Sequence, residues 1–398
     1  MRRGITRNVV ALGVVSFLTD VSTEMILPVL PLFVTSVLGG TAVSVGLIEG
    51  VAESVSSLLR IVSGWLSDKI GARKPFLLFG YGVSSVAKAA LALAASWPAV
   101  LGLRAADRVG KGLRNPPRDA LIADSVEPAY YGAAFGFHRS LDTLGAALGP
   151  LAAFAILAAA PGHYGRVFLW SAVPAALSLV VLAAFVRSAT RERAPRRQSA
   201  RAALAELGRP LQSFLFVAGL FSLANSSIAF LILRAQGVGV PAARVPLIYF
   251  AYNLVYALLS YPIGHWTDSR GRRPALLAAY ASFAILYGVL AATATPAWTI
   301  AVFVALGIHS ALLEGSQRAY VADLVPADRR ASAYGLYYTV VGLALLPASA
   351  VAGWLWERVG PQATFALEAG LAAIAALWFA LARPSGNGDD EELRAQAA

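Results

Sequence analysis

Apolar runs of about twenty residues alternate with short polar joints along the whole chain. Twelve can be traced, beginning near Asn8, Val43, Pro75, Pro98, Tyr131, Gly165, Pro210, Arg244, Ala275, Ala297, Ala331 and Gln362. A helix of about 20 apolar residues crosses roughly 30 Å of hydrocarbon, so the pattern predicts an all-α membrane protein with twelve transmembrane helices. The first run extends past the length of a leader's apolar core and carries Asp20 and Glu24, so it is expected to stay in the mature chain. Span four, PAVLGLRAADRVGKGLRNPPRDALIADS, is apolar only at its start. Hydropathy alone leaves it as a polar loop.

Charges in the joints orient the spans. Arg2, Arg3 and Arg7 precede the first; Lys69, Arg73 and Lys74 follow the second; Arg270, Arg272 and Arg273 follow the eighth; Arg329 and Arg330 follow the tenth. The joints of opposite parity hold only Arg166, Arg244 and Arg358. An excess of bases marks the inner side, which places both termini in the cytoplasm of a bacterial-type inner (plasma) membrane. The longest internal polar stretch, RSATRERAPRRQSARAALAELGR at 187–209, divides the spans six and six. It suits either a basic amphipathic helix on the anionic leaflet or a solvated loop. It separates an N-terminal bundle, residues 1–186, from a C-terminal bundle, residues 210–383, and residues 384–398 have the composition of a disordered tail.

Composition then removes alternatives. The 398 residues are 58% hydrophobic and 14% charged, too apolar for a soluble domain. There is no cysteine, which excludes disulfides and thiolate metal sites, and four histidines are too few for a metal-rich site. The net charge of +11 does not point to nucleic acid, because no soluble module carries a basic face. The absence of HExxH and GxSxG patterns argues against an enzyme, and the short joints leave no room for a sensor domain.

The sequence also repeats. Gly64, Asp68 and Gly71 match Gly264, Asp268 and Gly271 at a shift of about 200, and ADSVEPAYYGAAFGF (123–137) matches ADLVPADRRASAYGL (322–336). Two anchors at nearly one shift predict two pseudo-symmetric six-helix bundles related by an axis along the membrane normal. Span four then pairs with span ten, AWTIAVFVALGIHSALLEGSQRAYVAD, which is clearly of membrane length. Its polar face is expected to be buried in protein.

These residues resemble the major facilitator superfamily of secondary transporters, and the resemblance covers essentially the whole chain. GWLSDKIGARKP (64–75) is similar to the family's loop signature, Gly-x-x-x-Asp-(Arg/Lys)-x-Gly followed by bases, and GHWTDSRGRRP (264–274) echoes it after span eight. RVGKG (108–112) resembles an Arg-x-x-Gln-Gly element with Lys111 in place of glutamine, and GAALGP (145–150) resembles the Gly-x-x-x-Gly-Pro element of exchangers. The resemblance implies alternating access, with export of a small solute in exchange for protons and no cofactor. It also implies gate residues Gly64, Asp68, Gly71, Arg73, Gly264, Asp268, Gly271 and Arg272. A monomer in the lipid bilayer is expected to suffice. Physically, Gly64 and Gly71 permit close helix approach and a tight turn, and Asp68 is placed to accept from Arg114, Arg118 or a helix N-terminus. Gly145 and Gly149 expose backbone for packing, and Pro150 favours a kink.

Charges at membrane depth cost roughly 2.5 to 3.5 kcal/mol each, so clusters need partners. Asp20 and Glu24 lie one turn apart, as do Glu49 and Glu53; Arg104, Arg108 and Lys111 share a face of span four beside Asp107; span five adds His138, Arg139 and Asp142. Acids of spans one and two are expected to face bases of spans four and five, while Lys88 has no evident partner. The cluster is either a structural ion-pair network or a proton-coupling site, with Glu24 and Asp20 ranked before Glu53 and Glu49. The DVSTEMILPVLP stretch, with Pro28 and Pro31, should interrupt span one beside the cavity. In the second half Asn225, Tyr249, Asn253, Tyr256, His309, Glu314, Tyr337 and Tyr338 are candidates to line a solute cavity. Interface packing for the tyrosines and an interior hydrogen bond for His309 are the alternatives. A proton-coupled importer, a facilitator and a metal or anion carrier using span-four bases also remain open.

Overall fold

The computed structural model describes residues 5–70, 72–127, 130–187, 208–325 and 330–382. Helices α1 (Arg7–Ile26) and α2 (Leu30–Ser36) form the first span. Spans two to six are α3 (Ala42–Ile70), α4 (Lys74–Ala90), α5 (Trp97–Asp124), α6 (Tyr131–Ala159) and α7 (Tyr164–Phe185). Span seven is again two pieces, α8 (Arg209–Ala224) and α9 (Ala229–Gly237). Then follow α10 (Val245–Arg270), α11 (Arg272–Ala292), α12 (Pro296–Asp323), α13 (Arg330–Arg358) and α14 (Pro361–Leu381). Every expected start falls within three residues of the observed one. The cue is local: proline stands in the first turn of α2, α4, α5, α8, α10, α12 and α14, where its missing N–H is no loss.

Among the described residues, eleven spans are long and apolar enough to cross a membrane. The twelfth, α5, is not, because Arg104, Asp107, Arg108 and Arg114 are buried along it. It packs against both α3 and α4, so its polar face is covered by protein. The repeat therefore identified a span that hydropathy alone misses.

The two halves share one packing plan. In the first, α1 packs on α6 and α7, α5 on α3 and α4, and α4 on α7. In the second, α8 packs on α13 and α14, α12 on α10 and α11, and α11 on α14, the same pairs carried over by the repeat. The halves meet along α3–α13 and α6–α10, two contacts that the pseudo-twofold exchanges. At α3–α13 a Cβ on Gly50 would lie 3.1 Å from Leu346 Cα, and one on Gly46 would overlap the Ser349 carbonyl. Ser54 Oγ donates to the Gly342 carbonyl at 2.8 Å. Small residues thus bring these backbones together.

The ends of the molecule differ. One apolar core, including Val34, Ile48 and Phe230, continues through the second half to Leu211 and Val325 near the basic joints and joins the two halves on the side away from them. Gln236 Nε2 donates to Ser36 Oγ at 2.9 Å there, and Val43 N to Glu357 Oε1 at 2.7 Å. On the side of the basic joints the first half keeps a separate core around Leu12, Tyr81 and Leu121.

Gly64 and its repeat equivalent Gly264 do not provide the close helix approach expected of the loop signature. A Cβ on Gly64 would make only an ordinary contact with Pro116 at 3.5 Å, and one on Gly264 would meet nothing within 4 Å. The close approach lies along α3–α13 and at Gly145 and Gly149 instead. Gly271 does turn the chain, at φ 86°. Gly71, the side chains of Asp68 and Asp268, the 188–207 part of the linker and the tail lie outside the described residues.

Gly50→Val is expected to lower stability by about 1–3 kcal/mol through overpacking, whereas Gly264→Ala should be neutral or slightly stabilising. Thermal unfolding of the purified variants checks both.

Candidate transport site

Span one breaks where Pro28 removes a backbone donor: Leu27 N still bonds Thr23 O at 3.1 Å, and the helix resumes at Leu30. Span seven breaks at Asn225-Ser226-Ser227-Ile228, where short polar side chains compete for backbone groups. At a shift of 199 Pro28 falls on Ser227, so the breaks are repeat equivalents. A polar cavity of about 410 Å³ lies between them. Asp20, Glu24, Glu49, Glu53, Asp107, Arg108, Lys111 and Arg114 line it from the first half, and Asn225, Ser226, Ser227, Glu314 and Ser349 from the second.

Most of these charges are paired. Arg104, 1% exposed, places Nη2 2.9 and 3.1 Å from the two Glu49 oxygens and Nη1 3.3 Å from Asp107 Oδ2. Ser84 Oγ also donates to Asp107. Arg108 Nη2 meets Glu53 Oε1 at 3.1 Å. Acids of span two therefore do face bases of span four. Lys88 has a partner after all: Nζ donates to Thr23 Oγ1 at 2.6 Å and to Thr19 O at 3.4 Å. Arg114 lies over the Tyr81 ring at 4.5 Å, and Arg118 Nη2 meets its neighbour Asp119 at 2.9 Å.

Span one departs from the expected acid-to-base pairing. Asp20 lies beside Asp142 of α6, carboxyl next to carboxyl. Two neighbouring carboxyls favour one shared proton over two negative charges. Ser16 Oγ donates to Asp142 Oδ1 at 2.5 Å, and Arg139 Nη1 to Asp142 Oδ2 at 2.9 Å. The same guanidinium reaches the other half: Nη2 lies 3.3 Å from the Tyr256 hydroxyl and 3.7 Å from Glu314 Oε2. Tyr256 donates to Glu314 at 2.8 Å, and Arg318 Nη2 lies 3.4 Å from the same carboxylate. Gly145 and Gly149 let α6 approach closely: a Cβ on Gly145 would lie 2.5 Å from Phe17 O, and one on Gly149 2.6 Å from Glu24 Cβ. Pro150 sits inside α6 one residue further on.

Three cavity groups are left over, and the first is Arg114, whose buried Nη1 has no hydrogen-bond partner. Glu24 lies beside Tyr249, and its Oε2 is buried without a hydrogen-bond partner. Lys111 has no ion pair among the described residues.

The second-half candidates divide. Asn225 and Glu314 line the cavity, Tyr249 reaches it through Glu24, and Asn253 stands one turn further along α10. Tyr256 belongs to the inter-half network. His309 and Tyr337 do not face the cavity. His309 is 3% exposed, with Nδ1 2.9 Å from Ala279 O among Phe221 and Phe283, and Tyr337 donates to Gln317 Oε1 at 2.7 Å. Both are packing residues because their helix faces turn into the second bundle. Tyr338 lies under Arg60, with the guanidinium 6.0 Å from its ring. The Ser226-Ser227 break was legible as a polar run in an apolar span. Glu368, 2% exposed beside Ser226, is an isolated acid without a sequence signal.

Near the basic joints, Arg73 Nε lies 3.7 Å from Asp124 Oδ2, and Arg272 Nε 3.7 Å from Asp323 Oδ2. The repeat superimposes the two pairs.

The profile of the Major Facilitator Superfamily matches residues 12–232 and again 214–397. The chain belongs to this superfamily. An uncharacterized MFS-type transporter of Methanocaldococcus jannaschii is 38% identical over 385 residues, covering 94% of each chain. The multidrug resistance protein MdtH of Cronobacter sakazakii is 27% identical, covering 84% of this chain and 82% of that one. The crystal structure of the nucleoside transporter NupG superposes with a TM-score of 0.76 at 13% identity, covering 94% of this chain and 98% of that one. Membership makes the chain a multi-pass secondary transporter rather than an enzyme, with the superfamily's two-bundle fold.

Arg104→Met is expected to destabilise by about 3–5 kcal/mol, because Glu49 and Asp107 would remain buried without a counter-charge. Adding Glu49→Leu should recover part of that loss. Thermal unfolding of the single and double variants measures both.

Proposed function

We propose that this transporter exports a small solute in exchange for protons, as a monomer in a bacterial-type inner membrane with both termini in the cytoplasm. The observation that carries the reading is the Asp20–Asp142 acid pair and its tie through Arg139 to Glu314 and Tyr256 of the other half. One guanidinium serves both contacts. When the acid pair loses its proton, Asp142 holds Arg139 more strongly, and the bridge to Glu314 weakens. When the proton returns, Arg139 is shared again. Protonation and the contact between halves are thereby linked, which is what coupling requires.

Direction is supported by the exchanger-type element at Gly145–Pro150 and by the MdtH relative, named for multidrug resistance. Orientation is supported by the basic joints. The apolar packing between the halves on the far side supports a carrier whose cavity communicates with the cytoplasm. Energetically one coupled proton suffices: crossing 100 mV contributes about 2.3 kcal/mol, roughly a fiftyfold solute gradient. The two bundles, 1–186 and 210–383, would rock about the cavity. Asp68 and Asp268 are proposed to latch the cytoplasmic side together with the repeated Arg73–Asp124 and Arg272–Asp323 pairs.

Asp20→Asn and Asp142→Asn are each expected to abolish uphill transport driven by a pH gradient in proteoliposomes, while solute counterflow stays within about threefold of wild type. A solute found by thermal stabilisation of the purified protein serves as cargo. Gradient-driven transport at the wild-type rate in both variants would refute the coupling, and accumulation of solute with the proton flux, rather than against it, would reverse the direction.

A further inference from the structure

The walls of the central cavity restrict what it can hold. Of the seventeen residues lining it, nine are charged, five are Ser, Thr or Asn, three are aliphatic, and none is aromatic. Lipophilic drugs are held mainly by apolar and aromatic side chains, and organic cations favour aromatic faces. Neither surface is present here. A volume of about 410 Å³ suits a small solute that replaces water with polar contacts.

Nearly every charge in the wall is already engaged. Glu53 is held by Arg108, Glu49 and Asp107 by Arg104, Asp20 by Asp142, and Glu314 by Tyr256 and Arg318. Arg114 lies over Tyr81. The wall groups left with neither a charged neighbour in contact nor an aromatic face are one acid and one base: Glu24, with Oε2 unpartnered, just before the break in span one, and Lys111 on α5. A purely cationic solute would leave Lys111 uncompensated, and a purely anionic one would leave Glu24 uncompensated. A solute with one charge of each sign satisfies both through charge-assisted hydrogen bonds. The second half faces them with neutral groups only at its break, Asn225, Ser226 and Ser227. These can hydrogen-bond the body of such a solute as the halves close.

We propose that the cargo is a small hydrophilic zwitterion of amino-acid or dipeptide size, its ammonium held by Glu24 and its carboxylate by Lys111. The proposal rests on the transport reading above, because it names what that cavity carries.

The test is thermal unfolding of the purified full-length protein with α-amino acids, dipeptides, spermidine, succinate, tetraphenylphosphonium and ethidium as probes. At least one amino acid or dipeptide should raise Tm in a concentration-dependent way. Its N-acetyl and methyl-ester derivatives, each lacking one charge, should not. Glu24→Gln and Lys111→Gln should each weaken its apparent affinity by about tenfold or more. Stabilisation by the lipophilic cations alone, by no zwitterion at all, or by a zwitterion equally well in both variants would overturn the assignment. A failure here is separable from failure of the coupling. Proton-driven movement of ethidium sinks the zwitterion and keeps antiport, while a bound zwitterion that crosses without proton flux keeps the site and sinks antiport.

Discussion

Charge at membrane depth persists only where another charge or a fixed dipole meets it, and the first half of this transporter is organised by that requirement. Arg104 joins Glu49 of α3 to Asp107 of its own helix, and Arg108 holds Glu53 one turn further on. These contacts fix the rotation of α5 against α3, a helix pair that hydrophobicity alone would not orient in lipid, where apolar faces gain nothing by association. Once that rotation is set, the position of Lys111 follows from the helix period. The cavity wall is a by-product of the pairing.

The second half repeats the architecture without the charge. Its packing pairs match those of the first half, and its opening span breaks at the equivalent place, yet Asn253 occupies the repeat position of Glu53. Where the first bundle has ion pairs, the second has rings: Tyr280, Phe283, Tyr287, Phe221 and His309 pack against one another in its interior. A duplicated scaffold has thus divided its labour. One bundle is polar, and the other is held by aromatic packing and contributes mainly neutral hydrogen-bonding groups to the shared cavity. The exception is Glu314, through which the second bundle touches Arg139.

Much of this was legible in the sequence because it depends on period and spacing. Span positions, the role of α5 and the two-bundle plan follow from hydropathy combined with the repeat, and the proline break in span one follows from Pro28. The partner of each charge was less accessible. Spacing shows that Glu49, Glu53, Arg104 and Arg108 each lie on a definable face, but the approach of α6 to α1 that sets Asp142 against Asp20 depends on close packing at Gly145 and Gly149. His309 and Tyr337 show the converse. Polar side chains in an apolar span suggest a cavity, yet which way the face turns is decided by tertiary packing, and both are buried inside their own bundle. Glycines in a signature carry the same ambiguity: Gly264 touches nothing here, while Gly50 and Gly342, outside any signature, hold two helices together.

The apolar core shared by both bundles on the far side has a thermal consequence. Parting the bundles there would wet Val34, Ile48, Phe230 and their neighbours, and exposing such surface to water raises the heat capacity. The free-energy gap between the two access states must therefore curve with temperature. Cooling weakens the seal and heating strengthens it over the range in which hydration entropy dominates. The fraction of carriers open to each side is thus set by climate as well as by cargo.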